Sequence, residues 1–144
     1  MLSSQAMIGR SAERGFRRSF DSLGEIFAFM DAFFEADAIG SAADYALRFG
    51  VEELFTNMVK YNPKGAGEIL LALERHPDRV SASLTDFDAD RFDIREAAPV
   101  DTGRPIEERT PGGLGIHLVR TLMDRIDYEY EGRRGRTTFV KMLE

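Results

Sequence analysis

Cysteine is absent from the 144-residue chain. That absence excludes disulfides, thiolate nucleophiles and zinc–thiolate centres. Histidine is scarce as well: His76 and His117 are the only two, too few for a conventional metal cage. No stretch stays apolar for the ~18 or more residues that a membrane-spanning helix needs. The opening MLSSQAMIGRSAER has no secretory apolar region, so the expected location is cytoplasmic, with no membrane contact. Basic residues are outnumbered, 19 Lys and Arg against 25 Asp and Glu, for a formal net charge of -6. Bulk charge therefore does not draw the chain to nucleic acid phosphates. Internal repeats, low-complexity tracts and proline-rich linkers are lacking too.

What is present suits one compact domain, since 43% of the residues are hydrophobic. Residues 1–13 are small or polar without sustained periodicity and read as a loose lead-in, leaving 14–144 as the domain. GFRRSFDS reads as a short strand. Leu23, Ile26, Phe27, Met30, Phe33 and Phe34 recur at helical spacing and predict a helix over 23–36, with Asp21 or Ser22 as cap candidates. A second helix is expected from Ser41 until Pro63 and the glycines of YNPKGAG stop it. EILLALERH and RVSASLTDF, broken by PD, predict two antiparallel strands. A long loop follows from Asp88 to Gly112. GGLGIHLVRTLMDR then makes a third helix, and IDYEYEG with RTTFVKML a closing hairpin. Because strands and helices do not alternate regularly, the fold class expected is α+β: a two-layer sandwich with a mixed, mostly antiparallel sheet and helices on one face.

Three stretches carry chemistry. In VEELFTNMVKYN, Glu53 and Asn57 stand one helical turn apart and project from one face. A carboxylate beside an amide oxygen suits Mg²⁺, which keeps several waters and takes substrate phosphates as further ligands. The glutamate could instead deprotonate a nucleophilic hydroxyl. The spacing alone leaves open a solvated Glu53 and an Asn57 at a fraying helix end. In PGGLGIHLVR, Gly112, Gly113 and Gly115 open a helix, where backbone N–H groups can approach an anion. GGLG has neither the full dinucleotide fingerprint nor a P-loop lysine, and a plain hinge has the same composition. In LTDFDAD, Asp86, Asp88 and Asp90 end a strand, where a carboxylate can accept a hydrogen bond from an exocyclic amine. Calcium fits poorly, because Arg91 and Ala97 stand where a calcium loop needs Gly and Glu. A solvated acidic loop remains the alternative.

Taken in order, Glu-x-x-x-Asn on a helix, Asp at a strand end, a lid-like loop and Gly-x-Gly opening a helix resemble the ATP-binding fold of the GHKL superfamily. More narrowly, VEELFTNMVKYN and GGLGIHLVRTLMDRIDYEY resemble the anti-sigma-factor serine kinases, from about Arg14 to the C-terminus. The resemblance implies ATP and Mg²⁺ as cofactors, with Glu53 as general base and Asn57 as the Mg²⁺ ligand. It implies that Asp86 recognises the adenine amino group, and that Gly113, Leu114 and Gly115 turn backbone toward the phosphates. Lys60 would reach phosphate, and Thr137 belongs to the family's last box near the final strand. The implied partners are a sigma factor and a STAS-domain antagonist phosphorylated on serine or threonine, in a protein that commonly forms a homodimer.

The sequence departs from the family at one place. Where the family reads Asp-x-Gly, Asp86 is followed by Phe87, Asp88, Ala89 and Asp90, and the spacing to Phe92 and Asp93 is about one residue longer. Added carboxylates near a triphosphate are expected to repel it. Two functions follow from different classes: a kinase that also sequesters a sigma factor, or a binding module of the same fold without efficient chemistry. DNA-repair and chaperone ATPases of the superfamily carry further domains that 144 residues do not accommodate.

Overall fold

The computed structural model describes residues 9–36, 38–96 and 113–143. Its elements run β1 (Arg10–Phe16), α1 (Leu23–Ala36), α2 (Ser41–Tyr61), β2 (Ile69–Arg75), β3 (Arg79–Asp86), α3 (Gly113–Leu122), β4 (Arg125–Glu131) and β5 (Arg134–Met142). Short 3-10 turns at Phe20–Ser22 and Ile94–Glu96 complete the order. The strands form one sheet in the order β1-β2-β3-β5-β4. Every neighbouring pair is antiparallel, so the described sheet is wholly antiparallel rather than mixed.

Alternation decides which face the helices cover. Ile69, Leu71 and Leu73 on β2 lie opposite Asp86, Leu84 and Ala82 on β3, and Thr137 and Phe139 on β5 continue the rows. Side chains that face each other across strands share a face of the sheet. Leu71, Leu73, Val80, Ala82, Leu84 and Phe139 are fully buried there. The helices supply the other half of the core: Ile26, Met30, Phe33 and Phe34 from α1, and Ala46, Leu47, Val51, Leu54 and Phe55 from α2. Each large apolar side chain withdrawn from water in this way is worth about 1.5–3 kcal/mol. One glycine sets the depth of the central helix. A Cβ at Gly50 would stand 2.7 Å from Met123 Cε and 3.1 Å from the Phe139 ring, so α2 sits directly on β5.

The first strand differs from its expected place. It begins at Arg10, within the stretch read as a lead-in, and ends at Phe16; Phe20–Ser22 is a 3-10 turn. The reason is that Arg10 and Arg14 occupy inward register positions opposite Arg75 and Leu71. Their guanidinium groups lie over the Phe33 and Phe16 rings, at 4.6 and 4.8 Å from the centroids. Long arginine stems cover apolar surface there, which erases the apolar alternation that marks a strand. Residues 1–8 of the lead-in lie outside the described residues.

β4 and β5 are joined by Gly132 and Arg133, both with positive φ (55° and 67°), the conformation of two-residue hairpin turns. Among the described residues the sheet ends in β1 on one side and β4 on the other. Both edges are charged: Arg10, Glu13 and Arg14 on β1, and Arg125, Asp127, Glu129 and Glu131 on β4.

Candidate nucleotide site

Glu53 and Asn57 lie on the C-terminal half of α2. Asn57 is buried, at 9% exposure, and the helix continues beyond it to Tyr61. The frayed-end alternative is thereby excluded. Glu53 is half-buried and its carboxylate rests against the first turn of α3: a Cβ at Gly115 would collide with Glu53 Oε2. Glycine is needed at this position for the two helices to bring the carboxylate onto the α3 backbone. Burial raises the Glu53 pKa above its ordinary value, and the neighbouring Glu52 raises it further. Gly113 and Leu114 form the start of α3, so the helix N-terminus and Glu53 share one locality.

Asp86 ends β3 on the inward face, opposite Ile69 and Gly135. It does not stand open. Arg18 grips it with both ends of its fork: Nη1 donates to Oδ2 and Nη2 to Oδ1, each at 2.8 Å. The Asp88 N–H also donates to Oδ1 at 2.9 Å. Arg18 and Asp86 retain only 4% and 3% side-chain exposure. Arg18 is held in turn by the backbone of the α2–β2 connection, donating to Gly65 O at 3.0 Å and Ala66 O at 3.3 Å. A Cβ at Gly65 would come within 2.7 Å of the Arg18 guanidinium carbon, so this glycine makes room for it. Burial pushes the Asp86 pKa up, but the hydrogen bonds from Arg18 and Asp88 outweigh it and leave the group below its ordinary value. Sequence reasoning did not find Arg18: it sits among FRRS beside Arg17 and meets a partner 68 residues away.

Asp88, which stands where the family has glycine, and Asp90 beyond it are also compensated. Asp88 accepts from the Ala66 N–H at 2.7 Å and from Arg133 Nε at 2.9 Å, and Asp90 accepts from Arg133 Nη1 at 2.9 Å. The expected repulsion is thus offset by an arginine delivered from the β4–β5 turn. The segment is fastened to β4 as well: Tyr130 donates its hydroxyl to Ala89 O at 2.8 Å, and the Phe92 N–H donates to the Tyr128 hydroxyl at 2.9 Å. Asp86, Asp88 and Asp90 all spend carboxylate oxygens on arginine, and no cluster of three or more metal-ligating side chains occurs among the described residues.

Two further expected residues stand apart. Lys60 is exposed, its Nζ 5.4 Å from the centre of the Tyr61 ring. Thr137 is buried on the inward face of β5, opposite Leu84 and Tyr128. The structure therefore seats Glu53 against Gly115, keeps Asn57 one turn along the same helix, and closes Asp86 off with Arg18. Of the loop expected from Asp88 to Gly112, only 88–96 lies within the described residues.

An α+β sandwich in which a long central helix sets a carboxylate against a glycine-opened helix has the architecture of a nucleotide-binding ATPase domain. The chain belongs to the histidine kinase-like ATPase domain family, whose model matches residues 16–142. Among curated relatives it is 35% identical over 86 residues to the serine-protein kinase RsbW of Halalkalibacterium halodurans, covering 56% of this chain and 52% of that protein. It is 34% identical over 91 residues to RsbW of Listeria monocytogenes, covering 59% and 57%. The RsbW of Bacillus cereus is 30% identical over 90 residues, covering 59% and 56%. The chain thus spans about half the length of the curated relatives it matches. A crystal structure of the RsbU and RsbW domains of Rv1364c from Mycobacterium tuberculosis shares the fold, with a TM-score of 0.66 at 10% identity over 93% of this chain and 32% of that one. No helix among the described residues is long and apolar enough to cross a membrane.

Proposed function

We propose that the chain is an ATP-dependent protein serine/threonine kinase of the anti-sigma type, which sequesters a sigma factor and phosphorylates a STAS-domain antagonist. The observation that carries this reading is the Glu53 carboxylate seated against Gly115 at the start of α3, with Asn57 buried one turn along α2. The donor set is all oxygen, which fits Mg²⁺ completed by phosphate oxygens and water. Asn57 would hold the ion, which when bound neutralises charge on the phosphates. The backbone at Gly113, Leu114 and Gly115 offers N–H groups to the same phosphates, assisted by the positive end of the α3 dipole. Lys60, exposed one turn beyond Asn57, and Thr137, buried on the inward sheet face, are the further nucleotide contacts in this reading. Glu53 accepts the proton of the partner's serine or threonine hydroxyl. A carboxylate raised by burial is the stronger base for that step. A homodimer is the assembly we expect, as in the family it resembles.

A second reading, a binding module with weak chemistry, is favoured by one observation: Arg18 already occupies Asp86. Calorimetric titration with ATP and Mg²⁺ separates the two. The kinase reading expects heat in the native chain and its loss in Asn57→Ala; no heat in the native chain would sink it. With a STAS protein present, labelled phosphate should transfer in the native chain and not in Glu53→Ala.

A further inference from the structure

The base end of the site raises a question of selectivity that the phosphate end does not. Asp86 is the carboxylate expected to accept a hydrogen bond from a purine amino group, yet its oxygens are already committed. Oδ2 accepts from Arg18 Nη1, and Oδ1 from both Arg18 Nη2 and the Asp88 N–H. At 3% side-chain exposure there is no open approach for a further donor. The partner is not a chance neighbour. Arg18 makes four hydrogen bonds, two to Asp86 and two to the Gly65 and Ala66 carbonyls, and Gly65 lacks the Cβ that would collide with it. The fork-on-carboxylate geometry is among the strongest side-chain pairings, and it is desolvated here.

We propose that Arg18 is the specificity-determining residue at the base end. By holding both oxygens of Asp86 it removes the acceptor for a 6-amino group, so the site takes adenine and 6-oxopurine nucleotides alike and is selective at the phosphate end only. This rests on the nucleotide reading given above. A site built to hydrogen-bond a ligand group discriminates strongly against analogues without it, and a site whose acceptor is satisfied internally does not.

The experiment is calorimetric titration of the full chain with Mg²⁺ plus ADP, and in parallel with Mg²⁺ plus inosine diphosphate, whose 6-oxo group cannot donate to a carboxylate. The native chain should bind the two within about threefold of each other, and Arg18→Ala, with Asp86 released, should favour ADP by about tenfold or more. A native preference for ADP above about fivefold overturns the proposal, as does a folded Arg18→Ala whose ratio is unchanged. If Arg18→Ala fails to fold, the native ratio decides alone. A native chain that binds neither nucleotide overturns both this inference and the nucleotide reading. Binding that disappears in Asn57→Ala but strongly favours ADP in the native chain overturns this inference and leaves that reading standing.

Discussion

Glu53 and Gly115 touch across two helices, the carboxylate of one lying where any larger residue would place its Cβ. The atom that would be displaced is the far end of a flexible side chain, so Gly115→Ala has an easy way out: the carboxylate swings aside. Alanine also favours helix by up to about 1 kcal/mol over glycine. Stability should therefore change by less than about 1 kcal/mol. Phosphate transfer to a STAS protein should fall nearly as far as in Glu53→Gln. Parallel thermal melts and transfer assays check this, and a variant with full transfer would show that the seat of Glu53 is immaterial.

Gly50→Ala should behave in the opposite way. Its Cβ would press on Met123 Cε and on ring carbons of Phe139, in a fully packed layer between α2 and β5. Overpacking a core costs about 1–3 kcal/mol, more than the helix-propensity gain returns. Urea unfolding should show a lower midpoint with an unchanged slope.

The Arg18–Asp86 pair links stability to pH. The Asp86 pKa in the folded chain is below its ordinary value of 3.8, because hydrogen bonds from Arg18 and Asp88 outweigh burial. A depressed carboxylate contributes stability that is complete above the unfolded pKa and fades as pH falls through the folded one. Asp86→Asn leaves a buried guanidinium without its counter-charge, a loss of about 3–5 kcal/mol near neutral pH. The difference between native and variant should shrink below pH 3.8 and vanish in strong acid. Chemical unfolding across that range measures it.

Glu53 titrates the other way. Burial and then Glu52 hold its pKa above the ordinary 4.5, and the base must be ionised to take a proton. Transfer should decline on the acid side at a pH above 4.5, and Glu52→Gln should move that decline to lower pH. An acid limb that ignores Glu52 would argue against Glu53 as the titrating group.

The sequence made some of this plain and concealed the rest for physical reasons. α1 and α2 occupy their expected spans because their apolar stripes are long and unbroken, and Gly and Pro punctuate them. β2 and β3 were legible from Leu71, Leu73, Val80 and Leu84 at period two. β1 was not, because Arg10 and Arg14 stand at inward positions and work through their stems and ring contacts. Glu53 and Asn57 were visible as a helical pair. Their environment was not: the burial of Asn57 and the closeness of Gly115 depend on how α2 and α3 meet. The compensation of Asp88 and Asp90 was hidden most deeply, since Arg133 reaches them from more than 40 residues along the chain.

The charged rims of the sheet have a consequence for how copies of the chain can meet. A sheet with open ends invites another strand to dock by backbone hydrogen bonds, and charges along an end strand oppose that docking. β1 carries Arg10, Glu13 and Arg14, and β4 carries Arg125, Asp127, Glu129 and Glu131. A continuous ribbon of sheets running through neighbouring molecules would set these rims against each other. Strand-to-strand docking is therefore disfavoured at both rims, and concentrated protein should resist fibrous growth of that kind.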